Sequence, residues 1–167
     1  MSDTGKEART RTISWEDPRT LTEAGKDLSG LEYLQKIVAG ELPRPPIGAL
    51  MNFEITELSE GRAVFTVEPA EYHYNPIGVV HGGLAATLLD SAMGCAVHST
   101  LPAGAGYTTL EIKVNYIRPM MAETGRVRCE ANVIHLGGRT ATAEGRVVDE
   151  SGKLYAHATT TCMIFRP

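Results

Sequence analysis

The chain has 167 residues, 43% of them hydrophobic, with 16 basic and 20 acidic side chains and a formal net charge of −4. That length fits one domain with an extension, able to bury roughly 70% of the surface its unfolded chain exposes, and scattered basic residues on an acidic chain argue against nucleic-acid binding. Cys95, Cys129 and Cys162 are widely spaced and odd in number, which speaks against a disulfide framework or structural zinc and for small apolar core residues in a reducing, cytoplasmic setting.

Residues 1–28 are polar, lack sustained periodicity and carry no apolar stretch of a secretory signal. They read as a flexible or loosely docked N-terminal arm, with Trp15 either pinning it to the body or left free. The rest, 29–167, reads as one domain. Ser29-Gly30-Leu31-Glu32 has the spacing of a capping box, and Leu31, Leu34, Ile37 and Val38 follow at helical intervals. Gly40 is a stop, and Pro43, Pro45 and Pro46 imply an extended linker. Met51, Phe53 and Ile55 alternate with polar residues, Ser59-Glu60-Gly61 turns the chain, and Ala63, Phe65 and Val67 alternate again, predicting a hairpin.

The run from Gly82 to Val97 is helix-length and apolar nearly all the way round, with a single charge, Asp90. A helix of that profile is buried. It falls short of the roughly 18 to 20 residues that span a bilayer, so no membrane association is expected. Four more strands follow: one marked by Leu110, Ile112, Val114 and Tyr116, one by Val127, Cys129, Ala131 and Val133, one about Thr140–Val148 and one about Leu154–Phe165. Glycine turns between the last three favour antiparallel hairpins. The fold class is α+β: one long helix that cannot face water, with an antiparallel sheet curled around it.

Burying an unpaired carboxylate costs several kcal/mol, so Asp90 needs good partners or a task. His81-Gly82-Gly83 opens the same helix, where first-turn N–H groups lack intrahelical partners and sit at the positive end of the dipole. A thioester or ester oxygen placed there would be polarised. Asn75, upstream, offers an amide that can donate to a carbonyl or hold water. Gly82 and Asp90 are eight residues apart, about 12 Å of helix rise, so one carbonyl cannot touch both within a single helix. If both serve one reaction, Asp90 comes from a second copy of the chain in a two-fold dimer. The alternative is a structural carboxylate in a dimer core, with Gly82 and Gly83 present for close packing.

The stretch Asn75-Pro76-Ile77-Gly78-Val79-Val80-His81-Gly82-Gly83-Leu84-Ala85-Ala86-Thr87-Leu88-Leu89-Asp90 resembles the hotdog-fold acyl-CoA thioesterases of the phenylacetate-pathway and 4-hydroxybenzoyl-CoA type. Thr108 to Pro119 resembles that family's third strand, and the similarity covers about residues 45 to 165. The resemblance implies a hotdog fold, a homodimer with shared sites that pairs further into a homotetramer, and hydrolysis of acyl-CoA without metal or cofactor, coenzyme A being part of the substrate. By position it makes Asp90 the general base or nucleophile, the base being favoured. Gly82 becomes the backbone donor to the thioester carbonyl, Asn75 the amide beside that carbonyl or the attacking water, and His81 a positioning residue. Thr109, or Thr108 if the strand register differs, is the hydroxyl that helps Asp90 hold water. Gly94 departs from members that carry a hydroxyl one turn after the acid. Gly83, Thr108, Arg118 and Arg139 complete the expected substrate contacts, the arginines being suited to coenzyme A phosphates.

Other chemistries find less support. No HExxH spacing joins His73, His98, His135 and His157, Ser91 lacks a GxSxG elbow, and no Walker or Rossmann glycine pattern occurs. Cys95 reads as packing. Two rival functions remain: a non-catalytic acyl-CoA-binding hotdog protein, and a hotdog enoyl-CoA hydratase or dehydratase.

Overall fold

The computed structural model describes residues 7–166; the first six residues of the arm and Pro167 lie outside them. Residues 7–17 form no helix or strand and run along the body. Arg11 ties this segment down. Its guanidinium donates to the carbonyls of Leu50 at 2.8 Å and Ala49 at 3.0 Å and lies 4.1 Å from the centre of the Tyr72 ring. Trp15 is 63% exposed and does not pin it. A short helix, α1 (Arg19–Ala24), then buries Leu21 against Leu34 and Ile37.

Helix α2 (Gly30–Val38) starts where its capping box predicts: Ser29 Oγ accepts from the Glu32 N–H, and Glu32 Oε2 accepts from the Ser29 N–H at 3.0 Å. The expected extended linker after it is corrected by a short helix, α3 (Pro46–Met51). Pro46 occupies its first position, where a missing N–H costs nothing and the fixed φ suits a helix. Met51 therefore ends a helix rather than starting a strand.

Six strands follow: β1 (Phe53–Ser59), β2 (Arg62–Val67), β3 (Gly106–Tyr116), β4 (Val127–Leu136), β5 (Thr140–Asp149) and β6 (Leu154–Phe165). They form one antiparallel sheet in the order β1-β2-β4-β5-β6-β3. The long helix α4 (Gly82–His98) packs against all six. Leu84, Leu88, Leu89, Ala92, Met93, Ala96 and Val97 are buried along it. Gly145 of β5 is what lets the helix sit so close: a Cβ there would stand 3.1 Å from Leu89 Cδ2 and 3.2 Å from Met93 Cγ. Gly30 does the same where α2 meets the end of α4, since a Cβ would collide with the His98 carbonyl oxygen.

β3 is an edge strand with a bulge between Thr109 and Glu111. The extra residue is Leu110. It breaks the strict alternation, so Thr109 and Ile112 are partly buried while Leu110 is 54% exposed. The Thr160 hydroxyl, on neighbouring β6, donates to the Glu111 carbonyl at 2.6 Å and satisfies the backbone at the irregularity.

One buried histidine links pH to stability. His73 Nδ1 accepts the Ala70 N–H at 3.0 Å and Nε2 faces the Met51 carbonyl at 3.0 Å, a pairing made by the neutral Nε2–H ring. Burial, with the Arg11 charge adding to it, holds its pKa below 6.5, against a smaller raising effect of the Met51 carbonyl. Burial lowers His98 likewise. The unfolded chain therefore binds more protons just below pH 6.5, and stability, full above that value, falls as pH drops toward the folded-state pKa. The expected result is a lower Tm at pH 5.5 than at 7.5, with a smaller difference in His73→Gln; an unchanged or higher Tm at pH 5.5 contradicts it.

Candidate active site

The segment before α4 is held in place by its backbone. Tyr74 and Val80 bridge, the His81 N–H donates to the His73 carbonyl at 2.7 Å, and the Val80 N–H donates to the Met120 carbonyl at 3.0 Å. His81 then caps the helix, Nδ1 accepting the Gly83 N–H at 2.8 Å. Gly83 has to be small, because a Cβ there would stand 2.7 Å from that nitrogen. The Leu84 N–H donates to the His81 carbonyl at 3.0 Å. Of the first-turn amides, the Gly82 N–H has no acceptor among the described residues.

Asn75 is oriented for a complementary task. Its Oδ1 accepts from the N–H groups of Ile77 at 3.1 Å and Val79 at 3.4 Å, which leaves its NH2 without a partner among the described residues. Asn75 and Gly82 line a cavity of about 300 Å³ with Tyr116, Arg118 and Met120. The Tyr116 ring lies against Gly82, where a Cβ would approach it to 3.0 Å.

Asp90 faces a different space. It is half-buried on α4, and the Thr109 hydroxyl donates to its Oδ1 at 2.8 Å. Thr108 is exposed, on the other face of the strand. Asp90 lines a cavity of about 450 Å³ with Ser91, Cys95, His98 and Tyr107 on one side and α2, α3, β1 and β2 on the other. Burial pushes the Cys95 thiol up to about 12, with the Asp90 charge adding to it, so it is not a nucleophile at neutral pH.

Tyr107 is the residue that sequence reasoning missed. Its hydroxyl stands 2.5 Å from where a Cβ on Gly94 would be, so the phenol occupies the space one turn beyond Asp90. It has no hydrogen-bond partner among the described residues, and burial holds it neutral, far above the usual phenol range. The signal was Gly94 itself. A glycine inside a buried helix costs about 1 kcal/mol relative to alanine and marks a close approach.

The chain thus brings Asp90 to Thr109 and Gly82 to Asn75, but leaves the two pairs in separate cavities. The arginines also separate. Arg118 stands at the rim of the Gly82 cavity, its guanidinium donating to the Leu154 carbonyl at 2.6 Å. Arg139 sits in the β4–β5 turn near the other end of β3, its carbonyl accepting from Ile164, the residue paired with Tyr107. No group of three or more His, Cys, Asp or Glu is placed to hold a metal ion among the described residues. No helix among them is long and apolar enough to cross a membrane.

Comparison with known proteins agrees with the fold. Residues 77–156 match the thioesterase superfamily model. A 1,4-dihydroxy-2-naphthoyl-CoA hydrolase of Listeria monocytogenes is 30% identical over 104 residues, 62% of this chain and 83% of that protein. A protein of Halobacterium salinarum, provisionally assigned as an esterase, is 42% identical over 73 residues, a match that spans 42% of this chain and 46% of the relative's length. Among solved structures, a variant of the phenylacetic acid degradation protein PaaI from Thermus thermophilus superposes with a TM-score of 0.65 at 33% identity, covering 74% of this chain and 100% of that one. The chain belongs to the thioesterase superfamily, as a hotdog-fold thioester hydrolase.

Proposed function

We propose that the protein hydrolyses acyl-CoA thioesters to a free acid and coenzyme A, with Asp90 as general base. The observation that carries this reading is the 2.8 Å hydrogen bond from Thr109 to Asp90, which fixes the single carboxylate of an apolar helix at the wall of an open cavity. Thr109 occupies Oδ1, and Oδ2 is left for a water. Asp90 takes a proton from that water as its oxygen attacks the thioester carbonyl. The carbonyl oxygen becomes an oxyanion facing the Gly82 N–H and the Asn75 NH2, donors already oriented for it. Collapse breaks the carbon–sulfur bond, and the leaving thiolate recovers the proton from Asp90. His81 keeps the Gly83 amide occupied and leaves the Gly82 amide for the substrate. Gly83, Thr108, Arg118 and Arg139 are assigned to the substrate's coenzyme A portion and to the rim, the arginines facing its phosphates. No further cofactor enters this scheme.

The donors and the base meet across a homodimer. β3 is an edge strand of eleven residues with exposed Leu110 and Tyr116, and an edge of that length invites pairing with another chain. Thr109, beside Asp90, and Tyr116, over Gly82, lie seven residues apart on it, roughly 23 Å. Antiparallel pairing of β3 with its copy, in the register that sets Thr109 opposite Tyr116 of the second chain, brings the base of each to the helix tip of the other. Two equivalent sites result. A homotetramer then requires a second contact surface.

The direct test is release of free thiol from acyl-CoA by the purified protein. Thr109→Val keeps the shape and removes the donor. A charge-assisted hydrogen bond of this kind is worth about 1.5–3 kcal/mol, so kcat should fall roughly tenfold or more with KM little changed. Wild-type turnover in Thr109→Val removes the threonine from the scheme. Binding without thiol release would favour an acyl-CoA-binding protein, and hydration of crotonyl-CoA without release would favour a hydratase.

A further inference from the structure

We propose that the cavity walled by α2 and α3 is the acyl-group pocket, and that it selects apolar acyl groups longer than acetyl; this rests on the thioesterase reading above. The cavity follows α4 from Asp90 to His98, eight residues or about 12 Å of helix. Leu34, Ile37 and Val38 of α2 and Ile47 of α3 face it, with Phe53 and Phe65 behind. The α4 side is closed by an aromatic stack, His98 lying 5.5 Å from the ring of Tyr33 and 5.5 Å from that of Tyr107. Charged side chains in the lining are few: Asp90, Arg44 and Glu54. Arg44 donates to the Phe53 carbonyl at 2.8 Å.

The geometry sets the class of acyl group. With the thioester carbonyl at Asp90, an acetyl group extends one carbon–carbon bond, about 1.5 Å, into a space several times that long. A longer apolar chain or ring fills it and leaves water behind, and each methylene buried contributes about a fourfold gain in binding. A distal carboxylate would be stripped of water among Leu34, Ile37 and Phe65, while Arg44, the one arginine in the lining, is held at the Phe53 carbonyl with the Glu54 carboxylate on the same wall. The wall is built outside the matched family segment, residues 77–156. α2 is held there by its capping box, by the Gly30 N–H donating to the Leu101 carbonyl at 3.0 Å, and by the close approach of Gly30 to His98.

The experiment compares kcat/KM of the full-length protein for acetyl-, hexanoyl-, octanoyl-, phenylacetyl- and succinyl-CoA, in wild type and in Ile37→Trp. The expected result is at least a tenfold preference for hexanoyl-, octanoyl- or phenylacetyl-CoA over both acetyl- and succinyl-CoA. Ile37→Trp, which fills the cavity from the α2 side, should lower that preference at least fivefold. Thiol release with no apolar preference, or a preference that Ile37→Trp does not alter in a variant with native circular dichroism, overturns the pocket assignment and leaves the thioesterase reading standing. Release from none of the five thioesters overturns both. If Ile37→Trp does not fold, Val38→Trp, at a half-exposed position on the same wall, takes its place with the same criteria.

Discussion

Asp90→Asn is expected to lower kcat on acyl-CoA by roughly 10²–10⁴-fold, the usual contribution of a positioned general base. The substitution is close to isosteric. The asparagine carbonyl still accepts the Thr109 hydroxyl that now sits 2.8 Å from Oδ1, so the helix, the cavity and the fold have no reason to change. What is lost is the ability to take a proton from water. KM should therefore stay within a few-fold of wild type, and Tm should be unaffected or slightly raised, since a half-buried charge has been removed. Steady-state thiol release with thermal melts on the same preparation checks both. Turnover near that of wild type would make Asp90 a structural carboxylate and end the assignment.

Gly82→Pro addresses the other half of the reaction. Gly82 is the first residue of α4, where proline is well tolerated, and His81 before it has φ −62° and ψ 133°, the extended conformation that proline's predecessor prefers. The substitution removes one backbone N–H, the one with no acceptor among the described residues. The three atoms nearest a Cβ at this position all belong to the Tyr116 side chain, at 3.0 to 3.4 Å, so that ring has to give by a few tenths of an ångström. Loss of one oxyanion donor costs about 10²–10³ in kcat, and that is the expected drop. The same pair of variants tests the shared site. In a dimer of one Asp90→Asn chain and one Gly82→Pro chain, one site combines both substitutions and the other has neither. Co-refolding two nearly inactive variants should then restore about a quarter of wild-type activity, because about half the dimers are mixed and each carries one intact site. No recovery, with mixed dimers demonstrated, would place the base and the amide in the same chain or in different reactions.

Much of the architecture was legible because its signals are local. Ser29 and Glu32 announce α2 through backbone N–H groups within one turn of themselves. The alternation in β4, β5 and β6 follows from a sheet with one face on α4, whereas in β2 the five residues Ala63–Val67 are all buried. α3 was hidden by its own prolines, which read as breakers until one of them proves to be a first helical residue. Leu110, Ile112, Val114 and Tyr116 marked β3 as a strand, but Leu110 and Tyr116 turn out to be exposed. A bulge is invisible to a period-two pattern, since it depends on how the strand pairs with β6. Two of the aromatic residues around the Asp90 cavity, Tyr33 and Tyr107, carried no signal of their own. Their roles come from α2 and β3 meeting α4, elements far apart along the chain.

From the residues alone it followed that one long helix must be wrapped by a sheet, that its single carboxylate needs good partners or a task, and that Gly82 and Asp90 are too far apart along it to serve one carbonyl. Those conclusions rest on periodicity, desolvation and helix rise, which act over a few residues. Only the tertiary structure decided that Thr109 rather than Thr108 holds Asp90, that Tyr107 fills the space above Gly94, and that base and amide open into separate cavities. Each of these depends on strand pairing and helix seating between distant segments, where one extra residue in β3 changes which side chain turns inward.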